Sequence, residues 1–439
     1  MDLGISFKTD SEMNRLQPSQ ARYLGMKPAT IVWLVFVGGL VAREAVTFFV
    51  ADHSVLFEYQ MIAGNLVNGL GMSWNEWGRL PLQPTALFPP LYIYWCALFI
   101  SIFGQNYLPM YMVQAVVAAS GCIPAYLAGK RMFGERVGLL FSLGYSVYPE
   151  MLFIHSRAVP EFLYVLICLW LLYYYLRLLQ SDCHSREFLR DAWVAGLLFG
   201  IGLLVREGVL IVGGAAGISL LLHKRPLKVV IRRAAIPVII AVVMIVTPWT
   251  IRNWVAQGRF IPLRSAYGLN LWMGNHEEAT GTDRTVDGGY QMGLLWEKNK
   301  DYYARTIPND EYSRNRFYRD EAIQYIKTHP LQYAKLTVKR LWYYLWFDPI
   351  HPLAKNVIYR ASYIILLMLG IPGIVRAFRQ KCLDPILVIS FAGFLVLYVP
   401  IIILPRYRII PVVWLLLFAA YFVDRILQFR VKNDPFRIS

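Results

Sequence analysis

Two glutamates from distant parts of the chain, Glu58 and Glu161, stand at the borders of apolar runs. Glu58 lies in Phe57-Glu58-Tyr59 just after the first run, and Glu161 follows Pro160 at the head of another. An ionised carboxylate is costly beside hydrocarbon, so two retained at such borders suggest a task. The task that suits a carboxylate there is accepting a proton from a nucleophile during group transfer. A plainer explanation accompanies each residue. An acid in the first turn of a helix complements the dipole, and Pro followed by Glu is ordinary at a helix start. Glu150, after Pro149 at the end of a run, is a weaker candidate for the same role.

Arginines form the second set. Arg206, beside Glu207, interrupts two apolar runs at their turn; Arg252 follows Thr247-Pro248-Trp249-Thr250-Ile251; Arg406 and Arg408 flank Tyr407. Arginines near a bilayer can snorkel, as Arg43 beside Glu44 can. On the outer side, where basic residues are scarce, a group of them suggests an anionic ligand, and the guanidinium fork suits phosphate. Candidate metal ligands are few: Asp52 with His53, and His276 with Glu277 and Glu278, are thin sets. No Walker motif, no GxGxxG at a strand–helix turn and no GxSxG occurs. No cofactor is implied, and a divalent cation is left open.

The elements that must position these residues are membrane spans. The chain has 439 residues, of which 57% are hydrophobic, 15% aromatic and 16% charged. Soluble domains carry about 25% charged residues. Apolar runs of about 15–22 residues recur along the whole length, which predicts an all-α polytopic membrane protein of about 10–11 transmembrane helices. The net charge of +16 is accounted for by basic cytoplasmic loops, so nucleic-acid binding is set aside. The five cysteines, Cys96, Cys122, Cys168, Cys183 and Cys382, follow no disulfide or zinc pattern.

Charge orients the spans. Residues 1–29 are polar and cytoplasmic, with Arg22 and Lys27 before an uncleaved signal anchor. The basic stretches His223–Arg233, Arg376–Lys381 and Arg425–Lys432 are also inside. Residues 30–250 then form a transmembrane module with an external loop at 51–87. Residues 251–356 form a second external loop on the acceptor side, and 357–439 hold the last helices and a short cytoplasmic tail. Residues 57–71 have helical apolar spacing and predict a helix lying on the membrane surface. Glu58 and Glu161 share a face only if two of the three runs at 88–104, 107–128 and 134–149 cross. Pro89-Pro90 at the start of 88–104 and the shortness of 134–149 make these two the first candidates for the run that does not cross. Lys130, Arg131 and Arg136 favour a cytoplasmic 129–136 and point to the earlier pair, and the choice among the three runs stays open.

Taken in order, these segments resemble the GT-C glycosyltransferases, in particular the bacterial family of protein O-mannosyltransferases and lipid A aminoarabinose transferase. The likeness is carried by Phe57-Glu58-Tyr59 through Gly71, Pro84-Thr85-Ala86 with Pro89-Pro90-Leu91-Tyr92, Arg157 with Pro160-Glu161-Phe162, Thr247 through Asn253, Arg264-Ser265 with Tyr267 through Asn275, and Arg406-Tyr407-Arg408. It implies a GT-C-like bundle whose external first loop carries surface helices. It also implies a polyprenyl-phosphate-linked sugar donor, an envelope lipid, glycan or protein as acceptor, and inverting transfer on the outer face of a bacterial inner membrane. Glu58 matches the general base, and Glu161 the acidic position of the second external segment. Arg206, Arg252, Arg406 and Arg408 are candidates for holding the donor phosphate; Tyr59, Tyr92, Asn253 and Tyr407 are further site candidates. Many relatives have Asp in place of Glu58, and some carry a soluble domain after the last span where this chain ends. A glycan ligase or polymerase of the O-antigen type, using a diphosphate-linked donor, is the alternative enzyme. A transporter is the alternative outside catalysis, although no internal repeat is seen.

Overall fold

The computed structural model describes residues 25–50, 57–76, 80–223, 225–293 and 307–432. Asp52, His53 and most of the 1–29 segment lie outside the described residues. Pro28 at the first helical position starts α1 (Pro28–Phe49) without leaving an unpaired amide. After it come α2 (Glu58–Val67), a two-residue antiparallel ribbon (Ser73–Trp74 with Gln83–Pro84) and α3 (Pro90–Phe103). A hairpin then joins α4 (Leu108–Phe133) to α5 (Glu135–Val147), and the chain bends by 55° into α6 (Pro149–Phe153). Next are α7 (Glu161–Gln180), α8 (Arg186–Val205), α9 (Val209–Leu222) and α10 (Leu227–Gln257). Among the described residues of the second loop, α11 (Tyr267–Gly274), α12 (Glu311–Thr328) and α13 (Pro330–Leu345) follow. The chain closes with α14 (Val357–Arg379), α15 (Pro385–Tyr398) and α16 (Ile409–Lys432).

Seven of these helices are long and apolar enough to span a bilayer, and the bent pair α5–α6 makes an eighth. Three shorter apolar helices, α3, α9 and α15, complete the bundle. The protein is therefore polytopic and helical, as its apolar runs predict. The spans pack closely where side chains are smallest. A methyl group on Gly129 would lie 2.9 Å from Cα of Gly138, so α4 and α5 meet backbone to backbone.

The crossing problem resolves at α3. Because α3, α9 and α15 each have 14 residues, contacts rather than length decide. Tyr59 meets Tyr92 and Tyr92 meets Phe162, which places the heads of α2 and α7 on one side and requires an even number of crossings between them. The 26 residues of α4 reach about 39 Å and cross fully. With α4 crossing and α5–α6 returning, Glu58 and Glu161 come to one side.

A separate aromatic core holds that side together. Tyr59, Ile62, Trp74, Tyr92, Phe162 and Trp249 are buried in one cluster beneath α2 and α3. Rings of Tyr59 and Tyr92 meet edge to face at 5.2 Å, and Tyr92 meets Phe162 at 6.1 Å. The residues next to the two glutamates are thus two ring contacts apart, a geometry in which aromatic pairs add to burial. Tyr92 itself is fixed, its hydroxyl donating to Gln114 Oε1 at 2.7 Å while Gln114 Nε2 donates to the His155 carbonyl at 2.6 Å.

The two large loops are tied by a buried acid. Glu311, in the first turn of α12, accepts hydrogen bonds from Thr85 Oγ1, the Ala86 amide (2.9 Å) and Ser265 Oγ. Nearby, Arg314 pairs with the largely buried Glu76 at 2.9 Å. Farther along, Arg340 donates to the carbonyls of Gly274 (2.8 Å) and Ile401 (2.9 Å), joining α13 to the segment before Arg406.

Candidate active site

The loop side of the bundle gathers charge around Glu161. As the first residue of α7 after Pro160, its side chain is only 2% exposed. Arg206, at the end of α8, donates through Nη1 to Glu161 Oε1, and Arg406 Nε lies 3.6 Å from the same oxygen. Glu161 Oε2 is buried and has no hydrogen-bond partner among the described residues. A buried acid needs partners of this kind, since an isolated carboxylate pays heavily for leaving water.

Aromatic faces hold the Arg206 side chain in place. Its guanidinium lies 5.6 Å from the Tyr164 ring centre and 5.4 Å from that of Tyr407. Tyr407 in turn stacks on Tyr398 at 4.2 Å. Cation–π contacts of this kind strengthen as water is excluded. Arg406 differs: its side chain is 45% exposed, so it is the accessible member of the pair.

A second ion pair adjoins the first. Glu207 accepts from Arg264 at 2.9 Å. Burial works to raise the Glu207 carboxyl, but Arg264 and Arg206 overcome it and hold the group below the usual carboxylate range. The cluster therefore sets Arg206, Arg264 and Arg406 against Glu161 and Glu207, with one positive charge in excess. Such a surplus in a poorly hydrated place favours an anion.

Glu58 begins α2 and is half-buried. The adjacent Tyr59 is buried, and its hydroxyl is raised by burial and by Glu161, against the pull of Arg406, Arg206 and Arg264. Tyr59 thus reports that the head of α2 faces the same charge cluster.

The other two arginines proposed for the phosphate sit elsewhere. Arg252 donates to the carbonyls of Thr85 (2.6 Å) and Met72 (2.8 Å), pinning the first loop to the end of α10. Asn253 is enclosed beside it, donating to the Ile261 carbonyl at 3.0 Å. Arg408 donates to the Trp346 carbonyl and the Tyr359 hydroxyl and lies 4.2 Å from the Tyr363 ring centre. Both guanidinium groups are held by loop carbonyls and tyrosines rather than by Glu161.

Sequence reasoning passed over Arg264, Glu207 and Tyr398 as site residues. The Arg206-Glu207 dipeptide at an outer turn was the available signal for an internal ion pair. Among the described residues no three His, Cys, Asp or Glu side chains gather to hold a metal ion. His276 is buried against Trp272 at 5.1 Å and accepts the Glu278 amide at 3.2 Å.

The chain resembles known proteins in part of its sequence and in its fold. Residues 88–251 match the family described as dolichyl-phosphate-mannose-protein mannosyltransferase. The archaeal oligosaccharyltransferase AglB from Archaeoglobus fulgidus, solved with an inhibitory peptide and a dolichol-phosphate, aligns with a TM-score of 0.53 at 13% identity, over 93% of this chain and 52% of its own. The chain thus spans about half the length of that enzyme. ArnT from Cupriavidus metallidurans bound to undecaprenyl phosphate aligns over 93% of this chain and 81% of its own, at 13% identity and a TM-score of 0.45. No match is found among curated proteins. The chain is a polytopic membrane protein that shares the fold of the oligosaccharyltransferase AglB.

Proposed function

We propose that this protein is a glycosyltransferase that moves a sugar from a polyprenyl-phosphate carrier to an acceptor at the loop side of the membrane, the outer face of a bacterial inner membrane. The observation that carries the reading is the convergence of Arg206 and Arg406 on one buried point beside the head of α2. The family match and the dolichol-phosphate in AglB support a lipid-linked donor.

A sugar on a phosphate is already activated, so the reaction needs no nucleotide. Glu58, half-buried at the head of α2, takes the proton of the acceptor hydroxyl or amine as its lone pair attacks the anomeric carbon. The bond from that carbon to the phosphate oxygen breaks, and the carrier phosphate keeps the electron pair. Arg206 and Arg406, with Arg264 behind them, stabilise the charge that grows on the leaving oxygen. A single displacement of this kind inverts the anomeric centre. Acceptor capture falls to the second external loop, with α11, α12 and α13.

The experiment supplies purified protein with labelled polyprenyl-monophosphate and polyprenyl-diphosphate sugars. Transfer from the monophosphate donor alone is expected. Glu58→Gln should reduce turnover by about 100-fold or more, the usual worth of a general base, with donor binding retained. Substantial turnover in that variant removes Glu58 from the base role, and use of the diphosphate donor alone favours the ligase reading.

A further inference from the structure

Glu161 poses a chemical difficulty for a phosphate site. Its Oε1 receives Arg206 Nη1 and lies 3.6 Å from Arg406 Nε, so a carboxylate oxygen holds the point on which both guanidinium groups converge. A phosphate oxygen seeking those donors must compete with it. The carboxylate is held there firmly, since Arg206 is flanked by two tyrosine rings and Glu161 is fixed at the start of α7.

We propose that Glu161 is an internal stand-in for phosphate, which yields Arg206 and Arg406 to the carrier phosphate when it binds and reclaims them when the spent carrier leaves. This rests on the reading above that the cluster receives a lipid phosphate.

Charge explains why such a competitor is useful. The donor is a phosphodiester with one negative charge, whereas the spent carrier is a monoester with about −1.5 to −2 at pH 7. Guanidinium groups left unopposed would therefore hold the product more tightly than the substrate and slow turnover. A carboxylate that returns to the same donors weakens both states by a shared amount and brings product release within reach. Glu161 is then a positioning residue, acting through the arginines and not on the sugar.

The buried geometry also gives the test its leverage. Removing one partner of a buried pair leaves the other charge uncompensated, which is strongly destabilising when no substitute is found. An anion that fills the gap restores that loss and reports itself as a stabilising ligand.

Farnesyl phosphate is titrated into the purified full-length protein, with farnesol as the uncharged control, for wild type, Glu161→Gln and Glu161→Asp. Without ligand, Glu161→Gln is expected to unfold at a lower temperature than wild type. Farnesyl phosphate should bind it about tenfold more tightly and raise its Tm by more, with farnesol doing neither. Glu161→Asp, which keeps the charge but withdraws it by one methylene, should fall between the two. Equal or weaker binding to Glu161→Gln, with wild type binding normally, overturns the stand-in role and leaves the lipid-phosphate reading intact. A folded wild type that binds no farnesyl phosphate overturns both.

Discussion

A guanidinium near a membrane surface has value only through what it faces. Arg206 and Arg406 face a carboxylate in a place where charge is poorly screened; Arg252 faces two carbonyls. The difference predicts opposite outcomes for the same substitution. Arg206→Ala and Arg406→Ala should each weaken carrier-phosphate binding by a factor of about 10 or more, as losing a charge-assisted contact does. Arg252→Ala should leave that affinity near wild type, yet cost about 2–3 kcal/mol of stability because two loop carbonyls lose a charged donor. Binding isotherms and thermal unfolding on the same preparations separate the two effects. If Arg252→Ala abolishes binding at an unchanged Tm, Arg252 belongs to the phosphate site.

At the scale of elements, the site depends on two loops being held at a fixed distance, and Glu311 is the joint. Three donors from 85, 86 and 265 end on its carboxylate. Glu311→Ala strands them, and a loss on the order of 3 kcal/mol should follow, concentrated in the loops because all three donors belong to them. Limited proteolysis should then cut near 307–328 before the bundle unfolds; a cleavage pattern like that of wild type would mean the loops are held by something else. This joint was not legible in the sequence, since Glu311 reads there as one more acid in a polar helix start. The spans themselves were legible, because about 20 consecutive apolar residues have few soluble uses. The head of α2 was legible too, from the spacing of Phe57, Ile62, Leu66 and Leu70. Border arginines were the hard case. Arg252, Arg406 and Arg408 look alike in sequence, and only tertiary packing decides whether each meets a carboxylate, a carbonyl or a tyrosine. Arg264, quoted in the sequence only for its likeness to relatives, was not marked as a site residue for the same reason, its partner Glu207 lying 57 residues away in the chain.

The whole molecule raises the question of sidedness, and charge and connectivity bear on it together. With α3 not crossing, the helices alternate so that Glu58, Glu161, Arg206, Arg264 and Arg406 all fall on one side. On the other side lie Lys130, Arg131, Arg136, Arg186, Arg190, Arg225, Arg232, Arg233, Arg376, Arg379 and Lys381. The positive-inside rule supports the proposal that this second side is cytoplasmic and the site external. The native cysteines offer a direct test. Cys96, Cys122 and Cys168 are buried, while the partly exposed Cys183 and Cys382 sit in loops of the basic side. A membrane-impermeant maleimide should therefore leave the wild-type protein unlabelled in intact cells and label it after lysis. Asn68→Cys, at the exposed end of α2, and Arg316→Cys, on the outer face of α12, should both react before lysis. Labelling of Asn68→Cys with none at Arg316→Cys would put the two loops on opposite faces, and no acceptor held by the second loop could then reach Glu58. Labelling of wild type in intact cells, with neither new cysteine reactive, would turn the molecule over and place sugar transfer in the cytoplasm.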